Sequence, residues 1–172
     1  MAELTKRQDV PPELGEAVDQ LPSTLRMVED PRTPVQDRAV LAQSVRQLTL
    51  TLRLIEDPGT SPKERAALLS VVRPLTSSLR IIEKTPPGQR TAYAASVLQL
   101  TVTLRLIEDP GTSPEQREEL TRAVQPLTRT LARIENPKTP AEERRELTDA
   151  VRPQSEELAD ATRKIVGTPS PE

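Results

Sequence analysis

Apolar residues return along this chain in alternating steps of four and three. Leu14, Val18, Leu21, Leu25 and Val28 open the series, and Leu41, Val45, Leu48, Leu52 and Ile55 continue it. Leu68, Val72, Leu75, Leu79 and Ile82 follow, then Tyr93, Val97, Leu100, Leu104 and Ile107, then Leu120, Val124, Leu127, Leu131 and Ile134. A sixth, degraded copy keeps Leu147, Val151 and Leu158, with Ile165 beyond. Such steps bring residues back to one side of an α-helix, so each set predicts a helical seam with coiled-coil-like spacing.

Read alone, LTLTLRLI at 48–55 argues otherwise. Leu48, Leu50, Leu52 and Leu54 alternate with other residues, the pattern of a half-buried strand. The other copies decide the matter, because Ser77, Arg129 and Glu156 stand where Leu50 does and the alternation vanishes. What survives in every copy is the four-and-three seam.

Punctuation agrees with helices. Ser61-Pro62-Lys63-Glu64 and Thr139-Pro140-Ala141-Glu142 read as capping boxes with proline at the first helical position, and Thr33-Pro34-Val35-Gln36 and Ser113-Pro114-Glu115-Gln116 as their glutamine versions. Pro31, Pro58, Pro110 and Pro137 follow an Asp or Asn and stop the preceding helices. The expected layout is a flexible segment at 1–12, a six-helix domain at 13–166 and a flexible tail at 167–172. Helices are expected near 13–29, 34–56, 62–83, 87–108, 114–135 and 140–165, antiparallel in an up-and-down order because the connections are short. Pro74, Pro126 and Pro153 share one position inside three helices, with Pro22 offset. The seam keeps its phase across them, which predicts kinked rather than broken helices.

The copies form a repeat. QLTLTLRLIEDPGTSP at 47–62 returns at 99–114 with fifteen of sixteen residues unchanged. Leu25, Leu52, Leu79, Leu104, Leu131 and Leu158 are equivalent, at intervals of 27, 27, 25, 27 and 27 residues. Duplication of a two-helix unit, 35–86 and 87–140, accounts for this. The second and fourth helices carry an extra apolar row, Leu50 and Leu54 matching Val102 and Leu106, where the fifth and sixth have Arg129, Arg133, Glu156 and Asp160. The row implies either an interior position for these helices or a subunit interface over them.

Up-and-down order sorts the connections into two ends, one bearing Arg32, Lys84 and Lys138, the other the two DPGTSP loops with Asp57 and Asp109. Arg38, Arg65, Arg90, Arg117 and Arg144 recur where helices begin, and acidic residues recur where they end, both against the helix dipole. Cross-turn ion pairs, Asp57 with Arg65 and Asp109 with Arg117, would compensate. Head-to-tail association through the unlike ends is a corollary.

Composition narrows the chemistry. Tyr93 is the sole aromatic residue, so any core is aliphatic. The absence of Cys and His removes disulfides, thiolate sites and the commonest transition-metal and acid–base ligand. A net charge of −2 shows no basic excess for nucleic acid. MAELTKRQDV has no apolar signal-peptide core, and no stretch is long and apolar enough for a membrane span, so the expected location is cytoplasmic. No nucleophile has a base beside it, and the five glycines form no phosphate loop.

The sequence therefore predicts an all-α protein of about six antiparallel up-and-down helices, built from a repeat of about 27 residues, as a bundle or a short array. It is expected to be no enzyme and to need no cofactor or metal. The expected role is a scaffold or adaptor for a protein partner or for self-association, with Leu50, Leu54, Val102 and Leu106 as the candidate interface. A carrier or sensor for a small apolar ligand between kinked helices is the alternative.

Overall fold

The structure is a computed structural model that describes residues 12–86 and 90–167. The expectations for 1–11, 87–89 and 168–172 fall outside the described residues. Six helices run in order: α1 (Pro12–Glu29), α2 (Val35–Glu56), α3 (Pro62–Lys84), α4 (Thr91–Glu108), α5 (Pro114–Glu135) and α6 (Ala141–Val166). No strand occurs among the described residues. The LTLTLRLI segment lies wholly within α2, so the four-and-three seam, not the alternation, dictates its structure.

The seam builds the core. Leu48, Leu75, Leu79, Leu100, Leu104, Leu120, Leu127 and Leu131 are fully buried, and burial of each such side chain contributes about 1.5–3 kcal/mol. A row at equivalent positions, Ala17, Ser44, Val71 and Ser96, three of them small, is equally inaccessible. Ser78 on α3 and Ser96 on α4 share a hydrogen bond of 2.9 Å where the two helices meet. Tyr93 is buried, its hydroxyl 2.8 Å from Thr148 of α6.

Helix contacts resolve the arrangement. The pairs α1–α2, α3–α4 and α5–α6 pack extensively, as do α1–α3, α3–α5, α2–α4 and α4–α6, whereas α2–α3 and α4–α5 touch sparsely. The molecule is therefore a two-layer array. Odd helices form one layer, even helices the other, and each hairpin stacks on the next. The packed pairs are offset by one helix from the two-helix unit expected from the repeated sequence. That unit, α2 with α3 and α4 with α5, straddles two hairpins. Copies 52 residues apart thus occupy neighbouring places in one layer, which explains why their sequences agree.

Prolines do not break the helices: α1, α3, α5 and α6 run through Pro22, Pro74, Pro126 and Pro153. Pro74 lies on the central helix of its layer and is buried, whereas Pro22, Pro126 and Pro153 are exposed.

Candidate functional site

The connectors are the most regular chemistry in the molecule. Asp30, Asp57, Asp109 and Asn136 each accept, through a side-chain oxygen, the backbone N–H two residues on, at 2.8–2.9 Å. Their backbone carbonyls accept from Thr33, Thr60, Thr112 and Thr139 three residues on, which closes a β-turn led by proline. The hydroxyls of Thr60, Thr112 and Thr139 then donate at 2.6 Å to Leu54, Leu106 and Arg133 carbonyls in the last turn of the preceding helix.

The recurring arginines complete the joint. Arg65 Nε donates to the Ile55 carbonyl at 2.8 Å and its terminal nitrogen to the carbonyls of Asp57 and Thr60. Arg117 reaches Ile107, Arg144 reaches Ile134 and Asn136, and Arg90 reaches Ile82 and Thr85 in the same manner. These guanidiniums sit on the carbonyl ends of the helices before their own, where positive charge is favoured. The expected conflict with the dipole is thus reversed, and the expected Asp57–Arg65 and Asp109–Arg117 ion pairs do not form. Both carboxylates are occupied by Gly59 and Gly111 N–H groups instead.

Of the four expected capping boxes, one forms in full, one forms by half and two fail. Ser113 and Gln116 form the full reciprocal box, and Ser61 accepts from the Glu64 N–H at 3.2 Å. At α2 and α6 the capping position is held by Pro34 and Pro140, without a side-chain bond. Thr33 and Thr139 fall one residue earlier, at the end of the turn. The spacing from Asp30 to Arg38 equals that from Asp57 to Arg65, so alignment by the arginine, not by proline, reveals the register.

Within each layer a second set of polar bonds ties parallel neighbours. Gln20 of α1 donates to Glu83 of α3 at 2.9 Å, and Gln47 of α2 donates to Glu108 of α4 at 2.7 Å. Thr51 also donates to Glu108. Burial pushes the Glu108 carboxyl up, against the bonds from Thr51 and Gln47 that hold it down. Arg80 of α3 bridges Glu135 of α5 at 2.8 Å and Glu16 of α1 at 2.9 Å, tying the odd layer together. These glutamines were not foreseen. Their signal was present, since Gln20, Gln47 and Gln99 precede the seam leucine where α3, α5 and α6 have proline.

These bonds fix the directions in which each helix looks. Gln47, Thr51 and Leu54 lie on the flank of α2 that faces α4, with Leu50 beside them. Leu54 and Leu106 pack half-buried against the core. Val102 is half-buried, and Leu50 remains 50 % exposed. The extra apolar row therefore meets the next helix of the same layer along one edge, and Leu50 emerges on the outer surface. Arg32, Lys84 and Lys138 are exposed at their connectors, and Arg32 pairs with Asp30 at 2.9 Å, holding that carboxyl below its usual range.

The two ends of the array differ. Val72 and Leu79 on α3, and Val97 and Leu104 on α4, are fully buried. Their equivalents on α1, Val18 and Leu25, are 46 % and 47 % exposed. Gln20, two residues and about 200° from Val18, faces α3, so Val18 looks away from the array. Gly15, Val18, Pro22 and Leu25 form an exposed, uncharged stripe at seam spacing, continued on α2 by the half-buried Ala42, Val45 and Thr49. At the far end, Arg129, Arg133, Glu156 and Asp160 are exposed in positions that inner helices use to meet a neighbour.

An open groove of about 700 Å³ lies between the first halves of α3 and α5, beside both DPGTSP loops. Small residues Ala66 and Ala67 floor it, while Lys63, Glu64, Glu118 and Arg122 rim it. No family model, curated protein or solved structure matches the chain. No group of three or more Asp or Glu residues suited to a metal, and no helix long and apolar enough to cross a membrane, occurs among the described residues.

Proposed function

We propose that the protein is a non-catalytic helical-repeat scaffold that acts by binding another protein chain. The observation that carries the reading is the uncovered stripe of α1. Positions that are sealed by a layer neighbour in α3, α4, α5 and α6 stand open there, in a chain otherwise rich in surface charge. Two-layer arrays offer broad side-chain surfaces of this kind without needing a pocket. Leu50 and Val102 supply a second, smaller apolar surface on the outer face of the even layer. The main groove is open and rimmed by charge, which does not favour the small apolar ligand.

Native mass spectrometry of the protein isolated from its own cells tests the reading. A second chain on the wild type, lost in a Val18→Glu, Leu25→Glu variant of unchanged helicity, is the expected result. A monomer free of any second chain, identical for both proteins, would overturn it.

A further inference from the structure

We infer that the chain that covers the open end is a second copy of this protein, docked α1 against α1 across a two-fold axis. The inference rests on the interaction reading above and names its partner.

Three observations converge on this occupant. The far end of the array is unsuited to the stripe. Seating Val18 and Leu25 on Arg129, Arg133, Glu156 and Asp160 would take charged side chains and their exposed ion pairs out of water against apolar groups that offer them no hydrogen bond, so end-to-end copying in one direction is disfavoured. Like therefore meets like, as a closed two-fold interface requires.

The stripe is also self-complementary in shape. Gly15, Val18, Pro22 and Leu25 follow coiled-coil steps, and a side chain placed at Gly15 would meet nothing within 4 Å. Two copies of α1 laid antiparallel, with the axis beside Pro22, set Val18 of each helix near Leu25 of the other. The bare backbone at Gly15 admits close approach at both outer crossings.

Charge complementarity fixes the register. Asp19 and Arg26 are exposed on the same flank of the stripe, seven residues apart. Residues seven apart share one coiled-coil position, and in an antiparallel pair that position meets itself. Asp19 of each copy then faces Arg26 of the other, twice by symmetry. Arg26 is held toward this flank by a 3.1 Å bond to Ser23. In a parallel pairing of α1 with α1 this flank would instead face the opposite flank of the partner, which carries Leu14 and Leu21, and Asp19 would find no arginine there.

Sedimentation equilibrium of the purified full chain, with charge-reversed variants, tests the proposal. Wild type is expected to dimerise reversibly. Asp19→Arg and Arg26→Asp, both at exposed positions, should each weaken dimerisation at least about tenfold, because each places like charges opposite one another. An equimolar mixture of the two variants should recover the dimer as a heterodimer, and the double variant should recover it alone. A chain that stays monomeric throughout the micromolar range, or reversals that fail to rescue one another, would overturn the inference. If the monomeric chain still loses a foreign partner on Val18→Glu, Leu25→Glu substitution, only the identity of the partner falls. Loss of neither partner nor dimer in that variant removes the interaction reading as well.

Discussion

The two ends of the array are made from the same repeat and finished in opposite ways. At the far end, α5 and α6 carry arginine, glutamate and aspartate where the inner helices α3 and α4 carry Ser77, Ile81, Val102 and Leu106. At the near end, α1 keeps the valine and leucine of an inner helix although no described helix lies over them. A repeat that ends in charge has been adapted to water, and one that ends in seam residues has kept the chemistry of a contact. The difference teaches that the seam records what a helix can cover, while the capping charges record where the stack stops.

The strongest way to break this comparison is to truncate one seam position in both settings. Leu79→Ala should cost about 2–5 kcal/mol in urea unfolding, because it leaves a cavity in a sealed site. Leu25→Ala, the equivalent change on α1, should cost the monomer less than about 1 kcal/mol, since half of that side chain is already in water. Equal losses would mean that α1 is covered after all.

A second comparison concerns the joints. Arg117→Ala should destabilise by about 1.5–3 kcal/mol through loss of charge-assisted bonds to the Ile107 and Asp109 carbonyls. Arg117→Lys should recover little, since an ammonium cannot reproduce the fork. At the joint nearest the open end, Arg38 Nε has no hydrogen-bond partner, so Arg38→Ala should cost less. Smaller again, Ser113→Ala should remove the α5 cap at about 1 kcal/mol, by the same unfolding measurement.

The smallest effect is one of pH. Glu108 is raised in the folded state, so its ionisation opposes folding. Wild-type stability is free of that cost below the unfolded carboxyl value near 4.5 and bears all of it once pH has passed the folded value. Glu108→Gln keeps an acceptor for Gln47 and Thr51 but cannot ionise. The variant should therefore gain on wild type as pH rises from 4 to 8, followed by urea midpoints at each pH, with no gain at the acid limit.

Much of this architecture was legible in the residues. The seam gave helices against the misleading alternation at 48–55, and phase continuity carried α3, α5 and α6 through Pro74, Pro126 and Pro153. The joints were half legible. Their arginines were visible as a regular series, but a side chain's partner depends on folding back across a turn, and proximity in sequence suggested Asp57 rather than the Ile55 carbonyl. Thr33 and Thr139 misled because Thr-Pro and Ser-Pro look alike while standing one place apart in the turn. The open stripe was hidden for another reason. Val18 and Leu25 read as ordinary seam residues, and periodicity reports the suitability of a face for burial, not the presence of a neighbour. Leu50, singled out as part of a row, divides between the layer contact and the surface, which only the offset of the layers reveals.

The arginine joint has a consequence for how such a chain could have grown. The ends of α2, α3, α4 and α5 are each clamped by an arginine at the opening of the next helix, within eleven residues from Ile55 to Arg65 or from Ile107 to Arg117. The elbow is encoded locally, and a duplicated stretch of gene would deliver its bend together with its rods. Lengthening the protein then asks for no new corner to be invented, only for the old one to be spelled again.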